Sequence, residues 1–472
     1  MHRTSRAVLM ALGLGALGSL AAFGSPAAAA RTKSKPAPSM ASAGSALTAA
    51  TFKVERHQLP NGLVVLMHED HSVPTVTFWQ WFKVGSRNEA PGITGISHFF
   101  EHMMFNGSKN VPPKEYDRII ESNGGLSNAF TDRDMTAYYE DIASDRLDVL
   151  FRLDSDRMAS LSLLPEQLKS EIEVVKDERR LRTDNSIPGM LDEQLYAMAF
   201  NASPYRWPVV GWMGDLNRIT RDDCVGYFRT YYAPNNCILV LTGDFNPKTA
   251  LAEIEKAFGP IPAQKAPEPP VSSEPEQRGE RRVQVHYPSE NVSFQVGYHV
   301  PSIQSDDVYV LDALASILSE GESSRLHQAL VYEKQIALGA SSFFSIRLDP
   351  SLFEFYVEMK PGKTAAEGEA ALDEVVSRLA KEGPTARELQ KAKNLLEAKF
   401  VKSLKTNNGV GSQLGFYEHV FGDYRAMFRS LDKYRALTEE DCRRVAQKYF
   451  VPLQRTVSIL VPLNDESKPA AP

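Results

Sequence analysis

Clustered apolar residues predict strands near the start of two separate stretches of the chain. In the first stretch, Phe52–His57 and Leu63–His68 flank a Pro-Asn-Gly sequence, a turn signal typical of a hairpin. Val73–Val84 is rich in Val, Thr, Phe and Trp, which favours a further strand. In the second stretch, Val283–Tyr287 and Val292–Val300 have the same character.

Long helices are predicted after the strands of each stretch, at Pro165–Leu181 and Ala386–Leu404. Strands and helices follow one another without the regular alternation of a parallel α/β fold. The predicted fold class is therefore α+β, with two homologous domains from a duplication. Each domain is expected to be a mainly antiparallel sheet packed with helices.

A repeat supports the duplication, because five residues of the first half recur in the second at a constant offset of 218. The matched residues are Thr220, Asp223, Cys224, Tyr231 and Pro234, and Thr438, Asp441, Cys442, Tyr449 and Pro452. In each copy the Thr is predicted to cap a helix, with the Asp in a capping-box position, and the Pro to end that helix before an apolar strand. Two unrelated helix–strand units are the alternative, but five matches at one offset favour a repeat.

Changes in composition predict the domain boundaries. Residues 259–280 contain six prolines, which block helices and central strands alike, so this segment is predicted to be a linker. It separates a first domain at 51–258 from a second domain at 281–465.

Residues 1–30 are predicted to be a secretory signal peptide. Arg3 and Arg6 precede the apolar run Ala7–Phe23, and the small residues Ala28–Ala30 before Arg31 offer a cleavage site. An uncleaved membrane anchor is the alternative, but the run is short for a span and contains glycine. The mature protein is therefore expected to be periplasmic or secreted, with a disordered spacer at 31–50 and no membrane span.

Composition excludes several classes of site. The 472 residues include 53 basic and 59 acidic side chains, so no basic surface for nucleic acid is indicated. Three cysteines without CxxC spacing provide neither a disulfide framework nor a thiolate zinc site. A bound metal would therefore need histidine and carboxylate ligands.

The segment around His98 supplies such ligands. Ser97 is a possible N-cap of a helix in which His98 and His102, four residues apart, share one face with Glu101 beside them. Two imidazoles suit zinc, a third ligand and a water complete a catalytic site, and the carboxylate can accept a proton from that water. A surface helix with paired histidines is the alternative. The surrounding Phe and Met residues indicate burial instead, and a buried group of this kind needs a partner such as a metal.

The helix predicted at 166–180 offers candidates for the third ligand. Glu171 and Glu178 are two turns apart and share a face, whereas Glu173 lies on another side. A charged helix is usually a solvated one, so spacing alone leaves the third ligand open.

The sequence resembles the pitrilysin (insulinase-type) zinc metallopeptidases, whose HxxEH motif inverts the HExxH order. The resemblance extends from about Phe52 to Leu463 and rests on four segments. These are Leu59–Leu63, His98–Gly107, Gly124–Thr131 and Glu171–Glu178. It implies a zinc-dependent endopeptidase that hydrolyses peptides.

The resemblance also implies roles for individual residues. His98, His102 and Glu178 would bind one Zn²⁺ per chain. Glu101 would be the general base, and Glu171 would support the ligands from behind.

A peptide substrate is implied to bind as an added strand along Gly124–Thr131. Within that segment Asn128 and Ala129 are the nearest candidates for contact with the peptide.

The second half departs from the zinc-binding pattern. Leu314 and Leu318 stand opposite the two histidines, so this copy cannot bind the metal. Many family members have a substrate-holding Arg and Tyr where this chain has Tyr332 and Gly339. The chain therefore resembles most the zinc-bearing subunit of mitochondrial-processing-peptidase-like bacterial peptidases. We expect a heterodimer in which a homologous non-zinc subunit supplies the Arg and Tyr.

Two other functions are compatible with the sequence: a non-catalytic peptide-binding or scaffold subunit, and a cell-envelope zinc-binding protein. Retention of all four zinc and base residues argues against the first. The ten histidines are scattered, whereas zinc carriers usually have His-rich tracts, which argues against the second.

Overall fold

The computed structural model describes residues 52–270 and 273–463. The predicted signal peptide at 1–30 and the spacer at 31–50 lie outside the described residues. The elements below belong to the unit that begins at Val54.

The described strands form two sheets, one in each half of the chain. The first contains β1 (Glu55–Gln58), β2 (Val64–Glu69), β3 (Thr75–Phe82), β4 (Leu126–Thr131), β5 (Thr136–Ala143) and β6 (Cys237–Gly243). The second contains β7 (Arg281–Tyr287), β8 (Ser293–Val300), β9 (Ala337–Phe344), β10 (Ser351–Met359) and β11 (Arg455–Pro462). The predicted hairpin is confirmed, because β1 and β2 pair antiparallel across the Pro-Asn-Gly turn.

The two sheets have the same topology, which confirms the predicted duplication. The strand order is β1-β2-β6-β3-β5-β4 in the first sheet and β7-β11-β8-β10-β9 in the second. Apart from β1, each strand has a counterpart at the same place in the other sheet. The pairs β2–β6 and β7–β11 are parallel, and the remaining pairs are antiparallel. The α+β class with mainly antiparallel sheets is therefore confirmed.

Helices cover these sheets. The first half contains α1 (Ile96–Met103), α2 (Glu115–Ser122), α3 (Leu147–Ser160), α4 (Pro165–Arg179), α5 (Ile187–Ala199), α6 (Met213–Leu216), α7 (Arg221–Tyr231) and α8 (Pro247–Phe258). The second half contains α9 (Asp307–Ser319), α10 (Ala365–Glu382), α11 (Ala386–Ser403), α12 (Asn407–Phe421), α13 (Ala426–Ala436) and α14 (Glu439–Tyr449). Between α8 and β7, residues 259–270 and 273–280 contain no helix or strand.

The repeated helix starts adopt the predicted capping boxes. Thr220 caps α7 and exchanges side-chain-to-backbone hydrogen bonds with Asp223. Thr438 caps α14 and does the same with Asp441. These bonds satisfy amide groups that the first helical turn leaves without partners.

One helix of each half packs on the sheet of the other half. Helix α5 packs on β7, β8 and β11, and α12 packs on β3 and β6. Two glycines of α12 allow close approach, since a Cβ on Gly411 would lie 2.5 Å from Trp79 and one on Gly415 would lie 2.1 Å from Trp81. This exchange explains why β3 is buried on both faces.

A group of ionic contacts also connects the halves at the turn between β4 and β5. Arg347 of the second half donates to Asp132 over 2.6 Å and lies 3.8 Å from Asp134. Tyr205 donates to the same Asp134, which is 1% exposed. The turn that follows the edge strand β4 is therefore fixed by the second half.

In the described part of the chain, we find no helix with both the length and the apolar character needed to cross a membrane.

Candidate metal centre

Helix α1 is capped by a residue outside it. It begins at Ile96 after Gly95, whose φ of 89° is the left-handed conformation that glycine tolerates. The Glu89 carboxylate accepts hydrogen bonds from the backbone N–H groups of Gly95 and Ser97, each over 2.8 Å. The prediction that Ser97 is the N-cap is therefore wrong, and its hydroxyl instead pairs with Tyr227 over 2.6 Å.

The two histidines of α1 meet a carboxylate from α4. His98 Nε2 lies 3.7 Å from Glu178 Oε1, and His102 Nε2 lies 3.2 Å from Glu178 Oε2. One ligand atom from each of these three residues can be chosen so that all lie within 4.8 Å of one another. No other group of three potential ligands of this kind occurs in residues 52–270 and 273–463. The structure thus brings together the three residues that the resemblance implied as ligands.

Glu171 lies behind the candidate ligands, where the resemblance implied it would be. Its carboxylate accepts from His102 Nδ1 over 2.9 Å and from Asn106 Nδ2 over 2.8 Å. With a proton held on Nδ1 by Glu171, His102 would coordinate a metal through Nε2, the nitrogen on the side of Glu178. Glu173 lies on another side, as predicted, where it is 59% exposed and pairs with Lys176.

The protonation states suit a cation. Burial lowers the pKa of His98 to about 3, so this imidazole is neutral. Burial also opposes charge on His102, but the carboxylates of Glu171 and Glu178 outweigh it and raise its pKa to about 10. Glu178 is partly buried, yet contact with His102 lowers its pKa to about 2, so it is ionised. The carboxylates therefore stabilise a positive charge at this place, which without a metal is the second proton of His102 and which a bound cation would replace.

Glu101 is poised between its two protonation states. The side chain is 1% exposed, and burial raises its pKa to about 7. A carboxylate with a pKa near neutrality is suited to accept and return a proton.

Unpartnered polar atoms test whether a metal fits. Four buried atoms at the centre make no hydrogen bond, although buried polar groups normally have partners. They are His98 Nδ1, Glu101 Oε1, His102 Nε2 and Glu178 Oε1. Two imidazoles and a carboxylate are a donor set that zinc accepts, and a cation would provide the missing partners of the ligand atoms.

The segment expected to contact a peptide forms the edge strand β4, which pairs only with β5 among the described strands. Asn128 is half-buried and Ala129 is buried. The last residue of the strand, Thr131, reaches Glu101 and lowers its pKa against the effect of burial. The C-terminal end of this edge strand therefore lies beside Glu101, the candidate base.

The second half provides no metal ligands at the corresponding place. Leu314 and Leu318 lie on α9 and are fully buried in the second core. Tyr332 is 68% exposed in the π-helical turn His327–Glu333. Gly339 lies on the edge strand β9, and a Cβ there would meet open space.

Two family profiles match the chain, one in the first half and one mainly in the second. A family profile described as insulinase, peptidase family M16, matches residues 64–211. A second profile, described as the peptidase M16 inactive domain, matches residues 218–396. The inactive-domain match thus falls mainly on the half in which leucines replace the histidines.

Named relatives extend over most of the chain. The zinc protease PqqE of Helicobacter pylori is 33% identical over 414 residues, which are 87% of this chain and 93% of the relative. The mitochondrial-processing peptidase subunit beta of Lentinula edodes is 27% identical over 415 residues, 83% of this chain and 86% of the relative. The crystal structure of a protease from Helicobacter pylori, 33% identical, superimposes with a TM-score of 0.84 over 87% of this chain and 99% of that one. The chain belongs to peptidase family M16, the insulinase family.

Proposed function

We propose that this chain is a zinc-dependent endopeptidase that holds one Zn²⁺ with His98, His102 and Glu178. The observation that supports it most is the convergence of their ligand atoms within 4.8 Å, with buried atoms that lack other partners. When bound, zinc would acidify water and polarise the peptide carbonyl.

The residues of the chain have separate tasks in this proposal. Glu101 accepts the proton of the attacking water at Oε1 and returns it to the leaving amine. Glu171 keeps the proton of His102 on Nδ1. The free edge of β4, with Asn128 and Ala129, binds the peptide backbone as an additional strand.

Three variants test the proposal. Glu101→Gln is expected to keep zinc and to lose peptidase activity by several orders of magnitude, because the base is absent. His102→Ala is expected to lose zinc as well. Glu173→Gln is the matched control, since this carboxylate lies on the same helix but is exposed.

The outcome separates the competing functions. Zinc content by elemental analysis and hydrolysis of a peptide library are measured for each variant. A wild-type protein without zinc would favour a scaffold subunit. Zinc binding without any hydrolysis, even with the partner subunit present, would favour a cell-envelope zinc-binding protein. Full activity of Glu101→Gln would overturn the role of this residue.

We also propose that the active enzyme is a heterodimer with a homologous non-zinc subunit. Its support is the absence of the substrate-holding pair, since Tyr332 and Gly339 occupy the Arg and Tyr positions. The purified chain is expected to be weakly active alone and strongly active with its partner. The double variant Tyr332→Arg/Gly339→Tyr should gain activity without the partner, because both positions have space for the new side chain. Strong activity of the wild-type chain alone would contradict the heterodimer.

We also propose that the segment at 1–30 directs export of the protein to the periplasm or out of the cell. Fractionation of cells and N-terminal sequencing of the mature protein test it. Recovery in the cytoplasm with an intact N-terminus would contradict it.

A further inference from the structure

Arg182 is a charged residue at the candidate metal centre, four residues after Glu178, and the HxxEH motif does not include it. It lies in a π-helical turn, Arg180–Asp184, that continues α4 after Arg179. Its Nη1 is 2.9 Å from Glu178 Oε1, and its side chain is 33% exposed. Single π-turns in helices often occur at functional sites, because they redirect a side chain.

The backbone at Arg182 is held in place by α5. A Cβ on Gly189 would lie 2.1 Å from the carbonyl oxygen of Arg182, so the two segments touch directly. Nearby, Arg179 donates to Glu193 of α5 over 2.7 Å and to the carbonyl of Gly211 over 2.8 Å. The backbone that carries the Arg182 side chain is therefore fixed by its contact with α5.

The contact between Arg182 and Glu178 is electrostatic rather than directional. Glu178 Oε1 makes no hydrogen bond, although Arg182 Nη1 is close enough for one. Burial has the largest effect on two other groups, since it lowers the pKa of His98 and raises the pKa of Glu101. The positive charge of Arg182 lowers the pKa of both, with burial at His98 and against it at Glu101. Arg182 thus acts on both sides of the candidate site through its charge.

We propose that Arg182 tunes the charge of the metal centre: it weakens the hold of Glu178 on the cation and leaves the cation a stronger Lewis acid. This inference rests on the proposed zinc site. The guanidinium and the cation would both be attracted to the Glu178 carboxylate. The guanidinium therefore weakens the electrostatic attraction between that carboxylate and the cation. Because no hydrogen bond is lost with Arg182, its removal is expected to tighten metal binding rather than to loosen it.

Zinc affinity of the full-length chain tests the proposal independently of activity. The protein is freed of metal with a chelator and titrated with Zn²⁺ in competition with a chromophoric chelator. Arg182→Met is expected to lower the zinc dissociation constant about tenfold at low ionic strength, and added salt should reduce the difference. Arg182→Lys should stay near the wild-type value, because it keeps the charge.

Arg180→Met is the matched control. Arg180 lies in the same π-helical turn, pairs with Asp177 and is 50% exposed. Its removal should leave the zinc dissociation constant unchanged. Thermal melting of the metal-free variants confirms that each is folded.

A second measurement separates tuning from support of the fold. Arg182→Met is expected to bind zinc more tightly while kcat/KM falls, because the cation becomes a weaker Lewis acid. A purely structural role would weaken both. Unchanged or weaker zinc binding by a folded Arg182→Met protein would overturn the proposal. A wild-type protein that binds no zinc would instead overturn the proposed function itself.

Discussion

The contact between Glu171 and His102 allows a quantitative test of how the site is supported. Glu171→Gln keeps the size of the side chain and removes its charge. The amide oxygen can still accept from His102 Nδ1, but the amide nitrogen cannot accept from Asn106. Glu171→Ala removes both acceptors and leaves the Nδ1 proton of His102 without a partner.

The expected loss follows from the type of hydrogen bond. A bond to a charged acceptor contributes about 1.5–3 kcal/mol, and one between neutral groups about 0.5–1.5 kcal/mol. Glu171→Gln should therefore cost about 1.4 kcal/mol of zinc binding, which is about tenfold in the dissociation constant. Glu171→Ala should approach about 100-fold, the upper end for residues that orient a metal-binding histidine.

The assay is a competition titration of the metal-free protein with Zn²⁺ and a chromophoric chelator. Glu173→Gln is the control, because it removes an exposed carboxylate from the same helix. Affinities should decrease in the order control, Gln variant, Ala variant. Equal affinity of wild type and Glu171→Ala would refute the view that Glu171 orients His102.

Three further predictions concern stability, and each is checked by thermal melting. Gly415→Ala should lower the free energy of unfolding by about 2 kcal/mol, because the methyl group would lie 2.1 Å from Trp81. Gly226→Ala, a helical position with open space, should not destabilise the protein and is the control. Arg347→Met should cost about 1.5–3 kcal/mol, since it removes a charged hydrogen bond to Asp132 while Asp134 keeps Tyr205 as a partner, and an unchanged melting temperature would contradict this. Burial raises the pKa of Glu89 from 4.5 to about 8, so the folded state favours the protonated side chain. The stability that this protonated form provides is therefore lost as the pH rises from 4.5 to about 8. Glu89→Gln should not show this loss. If the melting temperatures of the two proteins changed with pH in the same way, Glu89 would not be the group that titrates.

Local patterns in the sequence predicted local features well. The β1–β2 hairpin depends on a few adjacent residues, and the capping boxes at Thr220 and Thr438 on residues three apart. The shared face of His98 and His102 follows from helical spacing alone. Each of these features is decided within one or two turns of chain, so the sequence contains all the information needed.

Features that depend on distant contacts were missed. Glu89 caps α1 across a loop, at a spacing that matches no capping motif. The exchange of α5 and α12 was missed because an amphipathic helix reveals that it has a buried face but not which sheet covers that face. One signal was available: Gly411 and Gly415, four residues apart on a helix, indicate close approach of another element.

Arg182 was missed for a related reason. A regular α-helix over 165–181 was predicted, whereas α4 ends at Arg179 and continues as a π-turn. Arg182 lies four residues after Glu178, which is the ordinary helical spacing for a shared face, but one residue beyond the end of the predicted helix. A single charged residue near the end of a helix rich in charge gives no sign that it contacts a candidate ligand.

The duplicated fold shows what the metal site costs and why only one copy retains it. Helices α1 and α9 follow equivalent strands of sheets with the same topology, but α1 buries His98 and Glu101 and half-buries His102 where α9 buries Leu314 and Leu318. Each buried polar atom without a partner costs about 1–3 kcal/mol, whereas a buried leucine contributes about 2 kcal/mol. The second copy therefore fills this place with apolar packing, whereas in the proposed site a cation would offset the unpartnered groups of the first. Because α1 and α4 both supply candidate ligands, metal binding would be coupled to the packing of these two helices, and the second half, which contacts the first through Arg347, has no such site among its described residues.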